Sequence, residues 1–220
     1  MENARVKVVV RVRPVSNREQ IRGYNNILSQ LDQNNLQIWD PICFEEAFNK
    51  IHDSSASVWS KDFKFDKCIW PTSVETQEML FQEVGRPVVD WVLEGFNSCV
   101  LAFGQTGSGK THSMMGRLEG SPAGYGLIPR ICFSLFDALE SDMGGGGIHS
   151  CNVNFSHLEI YNENVRDLLA PYGSGSLRVR EHPTKGVFVS NLTEVRVTTF
   201  EEVMSLVAIG NKRCSCCRCE

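Results

Sequence analysis

No apolar run in this 220-residue sequence is long enough to span a bilayer, and its first residues, Met1 to Arg5 before a short valine run, lack a secretory signal's apolar stretch. Membrane insertion is not expected, and the plain reading is a soluble intracellular chain. A dominant charge is lacking too. Twenty-two basic against 26 acidic residues leave a net charge of -4, so no global field marks a nucleic-acid or membrane surface. Any anion must be held locally. Nine cysteines are present, five of them scattered without the spacing of a disulfide framework, and those five read as reduced thiols. Internal repeats are absent. With 42% hydrophobic and 22% charged residues, the composition is that of one ordinary globular domain.

Val6, Val8, Val10 and Val12 alternate with Lys7, Arg11 and Arg13, which predicts a strand near residues 6–12 ended by Pro14. Short strands are expected at residues 36–39 and around Phe63 and Phe65. Thr72 with Glu75 is a capping-box signal for a helix reaching Leu93, interrupted at Gly85 and Pro87, with Gly95 past its end. The unbroken apolar run at 99–103 reads as a strand buried on both faces, mid-sheet between helices. Pro129 suits the first turn of a helix with Ile131, Leu135 and Leu139 inward, and the glycines at 144–147 break it. Residues 152–160 suggest a strand whose alternation slips between Phe155 and Leu158, as at a bulge. A short helix with Val165, Leu168 and Leu169 on one side is expected next. Residues 177–197 predict one or two small antiparallel strands around a Lys185-Gly186 turn, and Thr198 with Glu201 caps a last helix ending at Gly210.

The chemistry lies in Gly104-Gln105-Thr106-Gly107-Ser108-Gly109-Lys110-Thr111, which matches G-x-x-x-x-G-K-[ST] between a predicted strand and a predicted helix start. Glycines let consecutive amides turn inward on phosphate oxygens, and the following helix adds its positive end. Lys110 supplies a point charge for the outer phosphates. Thr111 offers a hydroxyl to magnesium, which takes few protein ligands and keeps several waters. A glycine-rich turn that binds nothing is the bland alternative; a chance match should occur in roughly one per cent of sequences this long. His112, directly after the loop, reads either as a surface residue or as a contact to the base. Arg11 and Arg13, from their positions alone, are charges on the solvated end of the first strand, and Asp90 reads as an ordinary helix residue.

With the loop in place, its surroundings resemble the kinesin motor domain over about residues 5–213. The matching segments are residues 8–14 (VVVRVRP), Phe65-Asp66, 92–96 (VLEGF), 102–116 (AFGQTGSGKTHSMMG), 126–129 (GLIP) and 158–169 (LEIYNENVRDLL). Residues 177–183 (LRVREHP) look like the third kinesin class, the vesicle transporters. The resemblance implies an α/β P-loop NTPase of kinesin type, with a central, mostly parallel or mixed twisted sheet and helices on both faces. It implies ATP and magnesium as ligands, Thr111 on the metal, and Arg11, Arg13, Pro14 and His112 as contacts to base and ribose. The implied work is movement along microtubules driven by ATP hydrolysis, in the cytoplasm on the cytoskeleton; cargo and direction are not legible.

The chain also departs from that pattern. The family's serine-rich N-x-x-S-S-R-S-H loop and its D-x-A-G-x-E loop, which supplies the Walker B aspartate, occur nowhere in these residues. The chief tubulin-gripping surfaces and the neck linker of the family are likewise expected after them. Phosphoryl transfer needs a metal-holding aspartate and a group that orients the water, so hydrolysis is expected to be slow or absent. The organisation expected is a partial, incomplete motor domain over 1–213 and a divergent cysteine-rich tail over 214–220. In the family both ladder neighbours of the strand at 99–103 also come after residue 220. At about 1–3 kcal/mol for each unpartnered buried peptide group, losing both would cost on the order of 10 kcal/mol, against roughly 5–15 for a whole domain. The tail reads either as a Cys-x-Cys-Cys-x-Cys metal clamp or as the end of a truncated or alternatively spliced message; zinc prefers wider pairs such as C-x2-C. The leading reading is an ATP-binding motor-domain fragment unable to walk unaided, and the alternative is a non-catalytic regulatory or interaction product. A P-loop kinase is opposed by the R-x-R-P and LEIYNENVRDLL segments.

Overall fold

The computed structural model describes residues 6–24, 26–40, 60–71, 76–144, 151–171, 174–184 and 186–214. The capping signal at 72–75, glycines 145–147, Lys185 of the expected turn and tail residues 215–220 lie outside them. The chain divides into two units, Met1–Ile131 and Cys132–Glu220.

In the first unit the valine alternation forms β1 (Val9–Arg11). Two further antiparallel strands, β2 (Leu28–Gln30) and β3 (Asn35–Trp39), join β4 (Ser60–Lys64) in a three-stranded sheet, matching the strands expected near 36–39 and Phe63. β5 (Lys67–Ile69) runs parallel to β1, with Val9 opposite Lys67 and Arg11 opposite Ile69. Asp66 extends that pairing, because its carboxylate accepts the Val8 amide at 2.8 Å. Ile69, Leu80, Phe81 and Leu127 are buried together, with Val9, Val100, Met114 and Ile131 packed on them. Each fully buried aliphatic or aromatic side chain contributes about 1.5–3 kcal/mol, so this cluster is what fastens β5 to the helices.

A five-residue helix, α1 (Asn17–Ile21), starts at a complete capping box in which Ser16 and Glu19 satisfy each other's backbone amides. The interruption expected at Gly85 and Pro87 is instead a widening. Helix α2 (Thr76–Leu80) passes through a π-turn, Phe81–Gly85, into α3 (Arg86–Leu93) without a break, the Arg86 amide reaching five residues back to the Phe81 carbonyl. Proline can donate no amide and its ring crowds the carbonyl four residues earlier; the extra residue of the wide turn carries the chain past Pro87. Gly95 ends the helix as predicted, at φ 91°, with the Phe96 amide on the Trp91 carbonyl.

Residues 99–103 correct the expectation of burial on both faces. No strand forms there among the described residues, and burial alternates: Val100 and Ala102 are partly buried, whereas Cys99, Leu101 and Phe103 stand in solvent. The segment's amides and carbonyls make no backbone hydrogen bond among the described residues. After the loop at 104–109 come the short helix α4 (Lys110–Met114) and then α5 (Leu127–Gly144), in which Pro129 is fully buried in the first turn and Phe136 and Leu139 are buried further along.

In the second unit β6 (Val153–Phe155) does not bulge into the next strand; it ends, and β7 (Leu158–Tyr161) begins a different sheet. That is the source of the slipped alternation. The helix expected around Val165 is a strand, β8 (Asn164–Asp167), joined to β7 by Asn162 and Glu163 at φ 47° and 60°. Two left-handed residues in succession make the tight turn that matches strand twist. β9 (Arg178–His182) and β10 (Gly186–Ser190) form the predicted antiparallel pair, and β11 (Val195–Val197) returns to β6. The last helix, α6 (Phe200–Arg213), is capped one residue later than expected, by Thr199 on the Glu202 amide, while Thr198 donates to the Glu202 carboxylate. Gly210 does not end it. A Cβ there would lie 2.1 Å from His157 Nδ1, so glycine serves close packing inside the helix. Cys214, first of the tail cysteines, is buried with its thiol donating to Glu159 Oε1 at 3.3 Å.

Asp167 closes the β7–β8 hairpin by accepting the amides of Leu169, Ala170 and Thr193. Burial pushes its carboxyl up, but the Thr193 hydroxyl and these amides outweigh burial and hold it below the usual aspartate range. A carboxyl depressed in the folded state stabilises above its unfolded pKa, and that contribution is lost as pH falls. Asp167→Asn is therefore expected to lower stability by roughly 1–2 kcal/mol at neutral pH. Urea melts should show the gap from the unsubstituted chain closing below about pH 4.

Candidate functional site

The loop at 104–109 is shaped by its own side-chain economy. At Gly104 a Cβ would lie 2.5 Å from Ser108 Oγ, so only glycine lets the loop close over that hydroxyl. Gly109 precedes α4 in the left-handed region, at φ 97°, where other residues are strained. Ser108 donates its amide to the Gln105 carbonyl at 3.2 Å, but the amides of Thr106, Gly107 and Gly109 have no acceptor among the described residues. The first amides of α4 lack intrahelical acceptors as well. Ser108 Oγ is buried without a hydrogen-bond partner. Lys110 folds back over the loop, its Nζ donating to the carbonyls of Gly104 at 2.8 Å and Gln105 at 2.9 Å.

A run of unfilled amides, an orphaned hydroxyl and an ammonium resting on carbonyls together form a cradle for a polyanion, and the residues present suit phosphate oxygens. Gln105, Thr106 and Thr111 are exposed around it. Among the described residues no group of three or more His, Cys, Asp or Glu could hold a metal. Magnesium at Thr111 would therefore rely on that hydroxyl, the nucleotide's own oxygens and water.

A second cluster adjoins α4. Arg11, at the end of β1, donates to Gln77 Oε1 at 3.2 Å, Ser113 Oγ at 3.1 Å and Thr76 Oγ1 at 3.3 Å. Gln77, buried on α2, donates through Nε2 to the His112 carbonyl at 2.9 Å and faces His112 Nδ1 at 3.2 Å. Because that amide nitrogen can only donate, His112 Nδ1 is the acceptor and its proton sits on Nε2. Burial, then the charges of Arg11 and Arg117, hold the His112 pKa below the ordinary histidine value, which favours the neutral ring. The structure thus brings Arg11 and His112 together through a residue that sequence reasoning missed. A helical glutamine carries no pattern that marks it as the link between a strand end and the loop helix.

Arg13 and Pro14 go elsewhere. The Arg13 guanidinium grips both oxygens of Glu19, at 2.8 and 2.5 Å, and donates to the Pro14 carbonyl at 3.1 Å, while Pro14 itself is exposed. Glu19 is held far below the usual carboxylate range, first by Arg13 and then by Ser16, so one carboxylate serves both the capping box and the arginine.

The model of the kinesin motor domain family matches residues 11–220. Among known proteins the chain is 38% identical over 212 residues to the kinesin-like protein KIF1B of Rattus norvegicus, covering 96% of this chain and 11% of that protein. It therefore spans about a tenth of the length of such a curated relative. Among solved structures it is similar to a fast kinesin, with a TM-score of 0.75 and 32% identity over 94% of this chain and 52% of the other. A KIF14 dimer with AMP-PNP on a microtubule gives a TM-score of 0.76 and 30% identity, over 97% and 55% of the two chains.

Proposed function

Because the chain belongs to the kinesin motor domain family, we propose that residues 104–111 hold the triphosphate of ATP with magnesium. The single observation that carries this reading is the cradle itself, with amides at 106, 107 and 109 lacking acceptors and the Ser108 hydroxyl buried without a partner. In this reading Lys110 leaves the loop carbonyls for the outer phosphates, and Thr111 gives its hydroxyl to magnesium. The metal supplies charge neutralisation at the phosphate oxygens. Arg11 and His112 border the base and ribose from the Gln77 cluster, and Arg13 and Pro14 border them from the adjoining end of the first strand once the Arg13 guanidinium leaves Glu19. Arg11 acts there chiefly by fixing Gln77 and His112, and the neutral His112 ring presents an Nε2 proton.

Hydrolysis coupled to movement on microtubules is the activity proposed at the level of the whole motor, with residues 1–213 supplying its nucleotide-holding part. Phosphoryl transfer needs a metal-holding aspartate and a group that orients the attacking water, and among the described residues no group of three or more His, Cys, Asp or Glu could hold a metal. Calorimetry on the folded chain is expected to give a 1:1 heat with ATP and with ADP that needs magnesium, alongside hydrolysis close to the buffer rate. Absence of heat with either nucleotide would remove the assignment; turnover at motor speed would remove the restriction.

A further inference from the structure

Gln77 on α2 is 4% exposed, and a buried amide has to have both its ends answered. Its neighbours leave it one orientation. A guanidinium can only donate, so the atom facing Arg11 Nη1 at 3.2 Å is the amide oxygen. A backbone carbonyl can only accept, so the atom facing the His112 carbonyl at 2.9 Å is the amide nitrogen. Turning the amide over would set donor against donor at one end and acceptor against acceptor at the other. Arg11 is itself anchored by Ser113 Oγ at 3.1 Å and Thr76 Oγ1 at 3.3 Å, so the amide is held from both β1 and α4.

The carbonyl takes one hydrogen of the Gln77 amide nitrogen, and the other is left for His112 Nδ1 at 3.2 Å. A glutamine that only tied α2 to α4 would need the carbonyl bond alone; the contact to the ring is what joins it to the site. A neutral imidazole that accepts at Nδ1 donates at Nε2. His112 is exposed and its Nε2 makes no hydrogen bond among the described residues, which leaves that proton for a ligand. We propose, on the reading that residues 104–111 hold a nucleoside triphosphate, that Gln77 is a positioning residue that sets base choice: it holds His112 as an Nε2 donor, and the site thereby takes a base offering that proton a purine ring nitrogen. A base with an N–H at that place would bring two donors together and leave one unpaired, which is how such sites reject a wrong ligand.

Two measurements on the whole 220-residue chain test this. Long-range proton–nitrogen NMR with nitrogen-15 histidine, the His112 signals identified by their loss in His112→Asn, reads the tautomer. The expected result is a bare Nδ1 and a protonated Nε2. Gln77→Glu, whose carboxylate can only accept, is expected to place a proton on Nδ1 as well, and Gln77→Leu to give a mixture of tautomers. Calorimetry then compares the magnesium complexes of ATP, its 1-, 3- and 7-deaza analogues, and tripolyphosphate. One analogue, the one lacking the ring nitrogen that meets Nε2, is expected to bind about five- to tenfold more weakly than ATP, the range of one hydrogen bond. In Gln77→Leu that difference should shrink, while tripolyphosphate, which has no base, binds both chains equally. Gln77→Glu keeps an acceptor for Arg11, and the tautomer of the unsubstituted chain is decisive even where a variant does not fold. A protonated Nδ1 in the unsubstituted chain would overturn the proposal. So would a tautomer unmoved by either substitution, three analogues that all match ATP, or equal losses of ATP and tripolyphosphate in Gln77→Leu, which would make Gln77 structural only. Tripolyphosphate separates the two levels: if neither it nor ATP binds, the phosphate reading fails as well, whereas binding of both with no analogue effect defeats the role of Gln77 alone.

Discussion

Replacing Lys110 with alanine is expected to weaken magnesium–ATP binding by at least about 100-fold, close to losing the calorimetric signal altogether. Charge-assisted contacts to phosphate are roughly twice as strong as neutral ones, about 1.5–3 kcal/mol each, and one ammonium serves more than one oxygen, so a loss near 3 kcal/mol translates into that factor. A second effect adds to it. In the structure the Lys110 ammonium also closes the loop by holding the carbonyls of Gly104 and Gln105. Alanine would free those carbonyls to turn toward the phosphates, where their negative ends oppose binding. Thermal melts of the ligand-free variant separate the two effects from unfolding: little change is expected, since the carbonyls that lose their donor can turn to water. Full-strength ATP binding by a folded Lys110→Ala chain would sink the cradle assignment.

The largest stability loss expected in the first unit is at Gly116, two residues past α4. Its φ is 70°, and a Cβ there would lie 2.2 Å from the Gly124 carbonyl oxygen and 2.3 Å from the Gly126 nitrogen. Both obstacles are backbone, so no rotamer change relieves them. Moving the two chains apart would break the Arg117 amide to Gly124 carbonyl bond and the Gly126 amide to Met115 carbonyl bond, at 2.8 and 3.0 Å. These bonds tie the exit of the loop helix to the entry of α5. Left-handed strain of about 1 kcal/mol plus two lost hydrogen bonds and displaced packing gives about 3–5 kcal/mol for Gly116→Ala. That is a large share of a domain's roughly 5–15. Gly120 provides the control: its φ is 93° but nothing lies within 4 Å of a Cβ, so Gly120→Ala should cost only the strain. Equal urea midpoints for the two variants would refute the crowding argument.

The phosphate loop was legible in the sequence because every one of its requirements is local: glycines for the turns, then a lysine and a threonine in fixed order before a helix. The strands at residues 9–11, 35–39 and 60–64 were legible for a similar reason, since alternation is written in neighbouring residues. What escaped depends on distant partners. The stretch around Val165, with Leu168 and Leu169, has helical spacing, yet two left-handed residues at 162 and 163 fold it back as a strand. An Asn-Glu pair gives far less warning of such a turn than Asn-Gly would. Gly210 looked like a stop signal because the residue that needs its missing side chain, His157, is 53 positions away. The apolar run at 99–103 predicted a strand buried on both faces, but the structure forms no strand there and buries it on one side only, because a hydrophobic string says nothing about which neighbours cover it.

The wide turn at Phe81–Gly85 is an arithmetical correction. On a regular helix each residue advances about 100°, so Phe81 and Val89, eight apart, would point some 80° away from each other; seven apart, they would fall within about 20°. The π-turn absorbs the surplus residue, and both side chains are buried. Removing an exposed residue such as Gln82 would by itself preserve the inward stripe, but it would restore the narrow turn and drive the Pro87 ring against a carbonyl, at about 3 kcal/mol. Surplus and proline are thus coupled, each tolerable because of the other, and sequence drift at this helix must change both together or neither.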